Sequence, residues 1–113
     1  MAGSFSGGAP GTTLAGQTWT TVVAAPTTGQ KQILSAKPRN ADTVEHVYEQ
    51  RILKGAVACA LPDPRTVPVG ELRELISNCL VLDASDEVYQ VRTAETTTDN
   101  ESVVVAAVFE VTP

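Results

Sequence analysis

The stretch from Cys79 to Val111 constrains this chain most. Cys79-Leu80-Val81-Leu82 is an apolar run broken by Asp83-Ala84-Ser85-Asp86, small and acidic residues of the kind that turn a chain. Glu87 to Thr93 mixes β-branched, aromatic and polar residues, and Ala94 to Glu101 turns polar again. Ser102 to Val111 is apolar on both alternating faces, which suits a strand in the interior of a sheet. Three strand-like stretches separated by turn chemistry read as an antiparallel meander. Within the last of them, Val105 and Phe109 are expected on the core face and Glu110 on the other.

A chain of 113 residues holds one domain with a real core. Aromatic residues make up only 4% of it, so the core is expected to be built from Val, Leu, Ile and Ala. Those side chains suit an antiparallel β-sandwich, jelly-roll or immunoglobulin-like, in which residues of facing sheets interdigitate. The net charge of −5 and the absence of a Lys/Arg cluster argue against nucleic acid as a partner. No apolar run reaches the length that crosses a bilayer, so no membrane partner is expected. The opening residues lack the basic start and apolar centre of a secretion signal, which places the chain in the cytoplasm where it is made. Cys59 and Cys79 either pair as a disulfide or, as is commoner for two cysteines in that compartment, stay reduced in the core.

Residues 1–13 are rich in Gly, Ser, Ala and Thr and read as a flexible N-terminal arm ahead of a sandwich spanning residues 14–113. Two readings of the arm stand side by side. It is a disordered start, or it orders against a neighbouring subunit with Phe5 as anchor, making Phe5, Thr12 and Thr13 the candidate subunit contacts. Thr18 to Ala25 is a strand with Trp19, Thr21 and Val23 on one face, Trp19 being a packing residue. Lys31 to Lys37 is a second strand, and Pro38 to Asp42 a turn. Thr43 to Glu49 alternates as a strand with Val44, His46 and Tyr48 on one face, where His46 is expected to be partly exposed. Arg51 to Gly55 leads through a bulge into Ala56 to Leu61, small and apolar on both faces, as for a strand covered by neighbours. The prolines of residues 62–70 make a loop. Residues 71–78 fit either a short helix, by the spacing of Leu72, Leu75, Ile76 and Cys79, or a strand at the sandwich margin.

Catalytic motifs do not emerge. There is no Gly-rich phosphate loop, paired-cysteine metal site or nucleophile elbow. His46 is the sole histidine and lacks an acid–base partner at a recognisable spacing. Asp83/Asp86/Glu87 and Asp99/Asn100/Glu101 lack the spacing of a calcium loop and read as solvated turns. The chain is therefore expected to be no enzyme and to carry no cofactor.

The order of the pieces resembles small virion structural proteins of tailed bacteriophages. The likeness runs through Gly11-Thr12-Thr13-Leu14-Ala15-Gly16, Thr18 to Pro26 with Gly29, Ile33 to Asn40, Pro68-Val69-Gly70-Glu71, Leu80 to Asp86, and Val108-Phe109-Glu110. Ser85 stands where the family commonly has Gly, and Val69 separates Pro68 from Gly70. The resemblance implies a non-enzymatic β-sandwich made in the host cytoplasm and built into the virion. It would serve as a capsid decoration or cement protein or a head-spike base. Its partners would be its own copies as a homo-oligomer, with the major capsid protein or neck and tail subunits. The competing expectations are a tail or baseplate accessory and a fibre-borne receptor- or carbohydrate-binding module. The last would need exposed aromatics from among Phe5, Trp19, Tyr48, Tyr89 and Phe109.

Overall fold

The computed structural model describes residues 2–6, 12–14, 17–26, 29–61, 64–76, 80–82, 87–94 and 102–112, and in them every regular element is a strand. In chain order these are β1 (Ala2–Ser6), β2 (Thr12–Thr13), β3 (Thr20–Val23), β4 (Gln30–Arg39), β5 (His46–Lys54), β6 (Val57–Ala60), β7 (Arg65–Val67), β8 (Leu80–Leu82), β9 (Glu87–Thr93) and β10 (Val103–Thr112). They form two five-stranded antiparallel sheets around one apolar core, so the expected β-sandwich is the fold. In the first sheet β10 is central, with β1 and β2 along one side, β4 on the other and β8 beyond it. In the second, β3 pairs with β9 and β9 with β5, while β6 and β7 share the far side of β5.

The meander expected for the last three strands does not form. β8 and β10 lie in the first sheet on either side of β4, and β9 lies in the second. Successive strands β8, β9 and β10 therefore alternate between the two sheets rather than lying side by side in one. β10 is an interior strand, as its two apolar faces require, but the expected core face is reversed. Val104, Ala106 and Val108 are buried, and Val105 is 41% exposed. Hydrophobicity cannot choose between two apolar faces. Pairing with the inward residues of β4 does, setting Val104 opposite Pro38, Ala106 opposite Ala36 and Val108 opposite Ile33.

Two bulges reset the alternation elsewhere. The register passes from Ala107↔Ser35 to Val108↔Ile33, so Leu34 is an extra residue and points outward. In β3 the pairing passes from Thr21↔Gln90 to Val23↔Tyr89, leaving Val22 as the extra residue. Thr21 is consequently exposed and Val23 buried, on opposite faces rather than the one expected. β4 also runs on through Pro38, where a turn was expected. The Pro38 carbonyl accepts from Arg73 N, so the nitrogen that lacks a hydrogen faces that sheet margin and not the β10 ladder.

Glu71 to Ile76 is not helical. It lies against β4 through bridges at Arg39↔Leu72 and Ala36↔Ile76, the marginal-strand alternative; residues 77–79, Cys79 among them, fall outside the described residues. The stretch 1–13, expected as a flexible arm, carries β1 and β2 on the β10 ladder. A poor apolar content does not prevent this, because main-chain hydrogen bonds to an open strand edge hold such a segment. β6 is exposed along its whole length and not covered, since β5 borders it on one side only. Cys59 is thus an exposed free thiol and not a core residue.

Two tyrosines stand at the centre of the core, Tyr48 and Tyr89, both fully buried. Each hydroxyl has a partner, as burial demands. Tyr48 Oη shares a hydrogen bond with Ser102 Oγ at 2.5 Å, joining the second sheet to the start of β10. Tyr89 Oη donates to Gln50 Oε1 at 2.6 Å, and Gln50 Nε2 donates to the Leu75 carbonyl beside β4. Burial raises the Tyr89 hydroxyl far above the usual phenol range, so it stays protonated and able to donate to Gln50.

Candidate functional site

Outward-facing side chains of the first sheet form the most distinctive surface. A solvated sheet face ordinarily alternates in polar residues. Here Val105, Leu34, Val81 and Leu72 are exposed, and Val103, Ala107 and Phe109 are half-buried beside them. Leu72, Val103 and Val105, with Arg39, Asn40, Ala41 and Gly70, line a shallow groove of about 800 Å³. Gly70 belongs to the turn Pro68-Val69-Gly70-Glu71, closed by Glu71 N donating to the Pro68 carbonyl. Gly70 has φ +77° at the third position, the conformation that a type II turn reserves for glycine.

The three candidate subunit-contact residues lie on the rim of the same sheet. Phe5 stands opposite Phe109 in the β1–β10 ladder, and Thr12 and Thr13 stand opposite Val104 and Val103. Thr12 is half-buried and Thr13 exposed. β1 and β2 thus run along the edge of β10, the strand that carries Val103 and Val105.

A buried polar corner holds the groove in place. Asn40 is fully buried; its Nδ2 donates to the carbonyls of Val44 and Val67, both at 2.9 Å. Its Oδ1 accepts from Asp42 N, its carbonyl from Gly70 N, and its own N–H donates to the Glu71 carbonyl. The Asn40 side chain so ties the turn after β4 to the end of β7, and its main chain ties it to the loop that follows. His46 follows in β5 and is fully buried, not partly exposed as expected, with Nε2 donating to Asp42 Oδ2 at 2.6 Å. This histidine–carboxylate pair orders the corner, and burial removes the imidazole from any solute outside.

The His46 hydrogen bond, followed by one from Thr43 N, holds the Asp42 carboxyl below its ordinary value of 3.8. A carboxyl depressed by folding stabilises the native state above its unfolded pKa, and that contribution is lost as pH falls through the folded value. Asp42→Asn is therefore expected to lower the urea midpoint at neutral pH, with the gap to wild type closing as pH falls below 3.8. A gap that stays constant with pH would show that the carboxylate charge contributes nothing.

On the outer face of the second sheet, Trp19 lies under two guanidinium groups, Arg51 and Arg92, each 4.4 Å from its ring centroid. Arg51 Nε donates to Gln90 Oε1, Gln90 Nε2 to Thr21 Oγ1, and Arg92 Nε to Glu49 Oε1 at 3.1 Å. Trp19 is in this way a packing residue, its ring faced by guanidinium groups. Among the described residues no group of three or more His, Cys, Asp or Glu side chains is placed to hold a metal. Of the acidic clusters, 83–86 and 99–101 lie outside the described residues, and Glu87 reaches Lys54 at 3.7 Å. No protein-family model, curated protein or solved structure matches the chain.

Proposed function

We propose that the chain is a non-enzymatic structural subunit of a tailed-bacteriophage virion, a capsid decoration or cement protein or a head-spike base, that binds neighbouring virion subunits. The observation that carries this reading is the exposure of Leu72, Val105, Leu34 and Val81, four large apolar side chains of the first sheet and its margin. Exposed apolar surface gathered on one face of a small domain marks a place where another protein sits. Many copies on a lattice share a load of weak contacts, so shallow grooves suffice where a lone binder would need deep ones. The sandwich fold and the resemblance from Gly11 to Glu110 add to it. A carbohydrate-binding module has less to stand on: Tyr48 and Tyr89 are buried, and Trp19 lies beneath two arginines.

Immunoelectron microscopy with an antibody to this chain, on purified particles of the phage that encodes it, tests the reading. Label over the head surface is the expected result. Label on the tail tip or fibres would move the protein to the accessory class, and particles free of the chain would end the virion reading.

A further inference from the structure

The second sheet ends at β6, and the ladder there has a definite phase. Val57 pairs with Lys54 across a two-residue turn whose first residue, Gly55, has φ +57°. Leu61 N donates to the Gln50 carbonyl at 3.0 Å, which marks Leu61 as a residue whose polar groups face β5. By alternation Val57 and Cys59 also face β5, and Ala58 and Ala60 turn N–H and carbonyl groups away from it. Those outward groups lie on an exposed strand without charge, proline or bulge, the devices that ordinarily blunt a sheet edge. Among the other margins, β3 is bulged, β7 bears Arg65 and β8 has three residues, while β1, five residues without charge or proline, borders the other sheet.

We propose that β6 is a self-association edge, where two copies of this chain pair β6 to β6 antiparallel about a two-fold axis at Cys59. The occupant is set by the hydrogen-bond phase. Ala58 of one copy opposes Ala60 of the other, and reciprocally, so all outward donors and acceptors of β6 are satisfied by their own counterparts. This is the isologous arrangement that a two-fold axis imposes. The facing side chains are Ala, Cys and Ala, too small to hold the strands apart, and no like charges within β6 oppose each other. The two second sheets become one continuous sheet. Cys59 then faces its equivalent at a non-hydrogen-bonded position, where antiparallel Cα atoms lie about 4.5 Å apart and a disulfide can close. The cysteine reports the pairing and does not cause it. Pairing through β6 is independent of any place in a virion.

The test uses the full chain carrying Cys79→Ser, which leaves Cys59 as the sole thiol. Sedimentation velocity over a concentration series, in reductant, should show a reversible monomer–dimer equilibrium. Added diamide, which takes up the two electrons and two protons of the paired thiols, should trap the dimer through Cys59. Ala58→Lys with Ala60→Lys sets lysines opposite each other in both pairs, at positions already exposed in the monomer. It should weaken dimerisation by about tenfold or more with the circular dichroism spectrum unchanged. Ala58→Pro, which removes an outward N–H and spares the β5 ladder, should do the same and serves if the lysine variant fails to fold. A chain that is monomeric throughout and gives no Cys59 cross-link would overturn the proposal. So would a dimer that forms equally well in both edge variants.

Discussion

Tyr48→Ala is expected to remove about 3–5 kcal/mol of stability, the usual cost of deleting a fully buried aromatic side chain. That is a large share of the roughly 5–15 kcal/mol that holds a small domain together. The ring fills the space between the sheets, and the hydroxyl on Ser102 Oγ joins the second sheet to the residue before β10. Tyr48→Phe separates the two contributions. It keeps the ring and is expected to cost about 1 kcal/mol, the net worth of one hydrogen bond. Urea titration of the two variants decides the matter. Equal, small losses would place Tyr48 outside the core.

Asn40→Ala comes next in size, at about 3 kcal/mol, because it strands several groups together. The carbonyls of Val44 and Val67 lose their donor and Asp42 N loses its acceptor; each buried polar group left unpaired costs about 1–3 kcal/mol. Asn40→Asp is nearly isosteric and should lose at least as much, since a carboxylate oxygen would face the two carbonyl oxygens. Thermal unfolding of both variants checks this, and an unperturbed Asn40→Asp would show that the amide donors hold nothing.

How much of this was legible in the sequence depends on the range of the interaction. Turn residues and β-branched runs are local signals, and they pointed to the fold class and to an interior last strand. Facing is another matter. Ser102 to Val111 is apolar on both alternations, so only its pairing with Ile33, Ala36 and Pro38 decides that Val104 goes in and Val105 out. Bulges at Val22 and Leu34 leave no mark in composition, yet each shifts the alternation of the strand by one residue. Val57 to Ala60 reads like a covered strand because small apolar residues look alike in a core and at an edge. Nothing local tells that Asn40 is buried, since one of its partners is 27 residues away. For the candidate site, the groove lined by Leu72, Val103, Val105 and Gly70 is assembled by tertiary pairing and was not legible in the sequence.

The central place of β10 in its sheet also dictates the order of events in time. It is synthesised after every other strand, yet β1, β2 and β4 all find a partner in it. Until it arrives, the first sheet has only the short β4–β8 pairing, while β3, β5 and β9 can already close the second. A nascent chain should therefore carry half a sandwich with an open apolar face, awaiting the strand that covers it. Joining the first strand to the last closes nearly the longest loop available, a topology that folds in milliseconds to seconds rather than microseconds. Such a chain is most exposed to misassembly just before β10 is made.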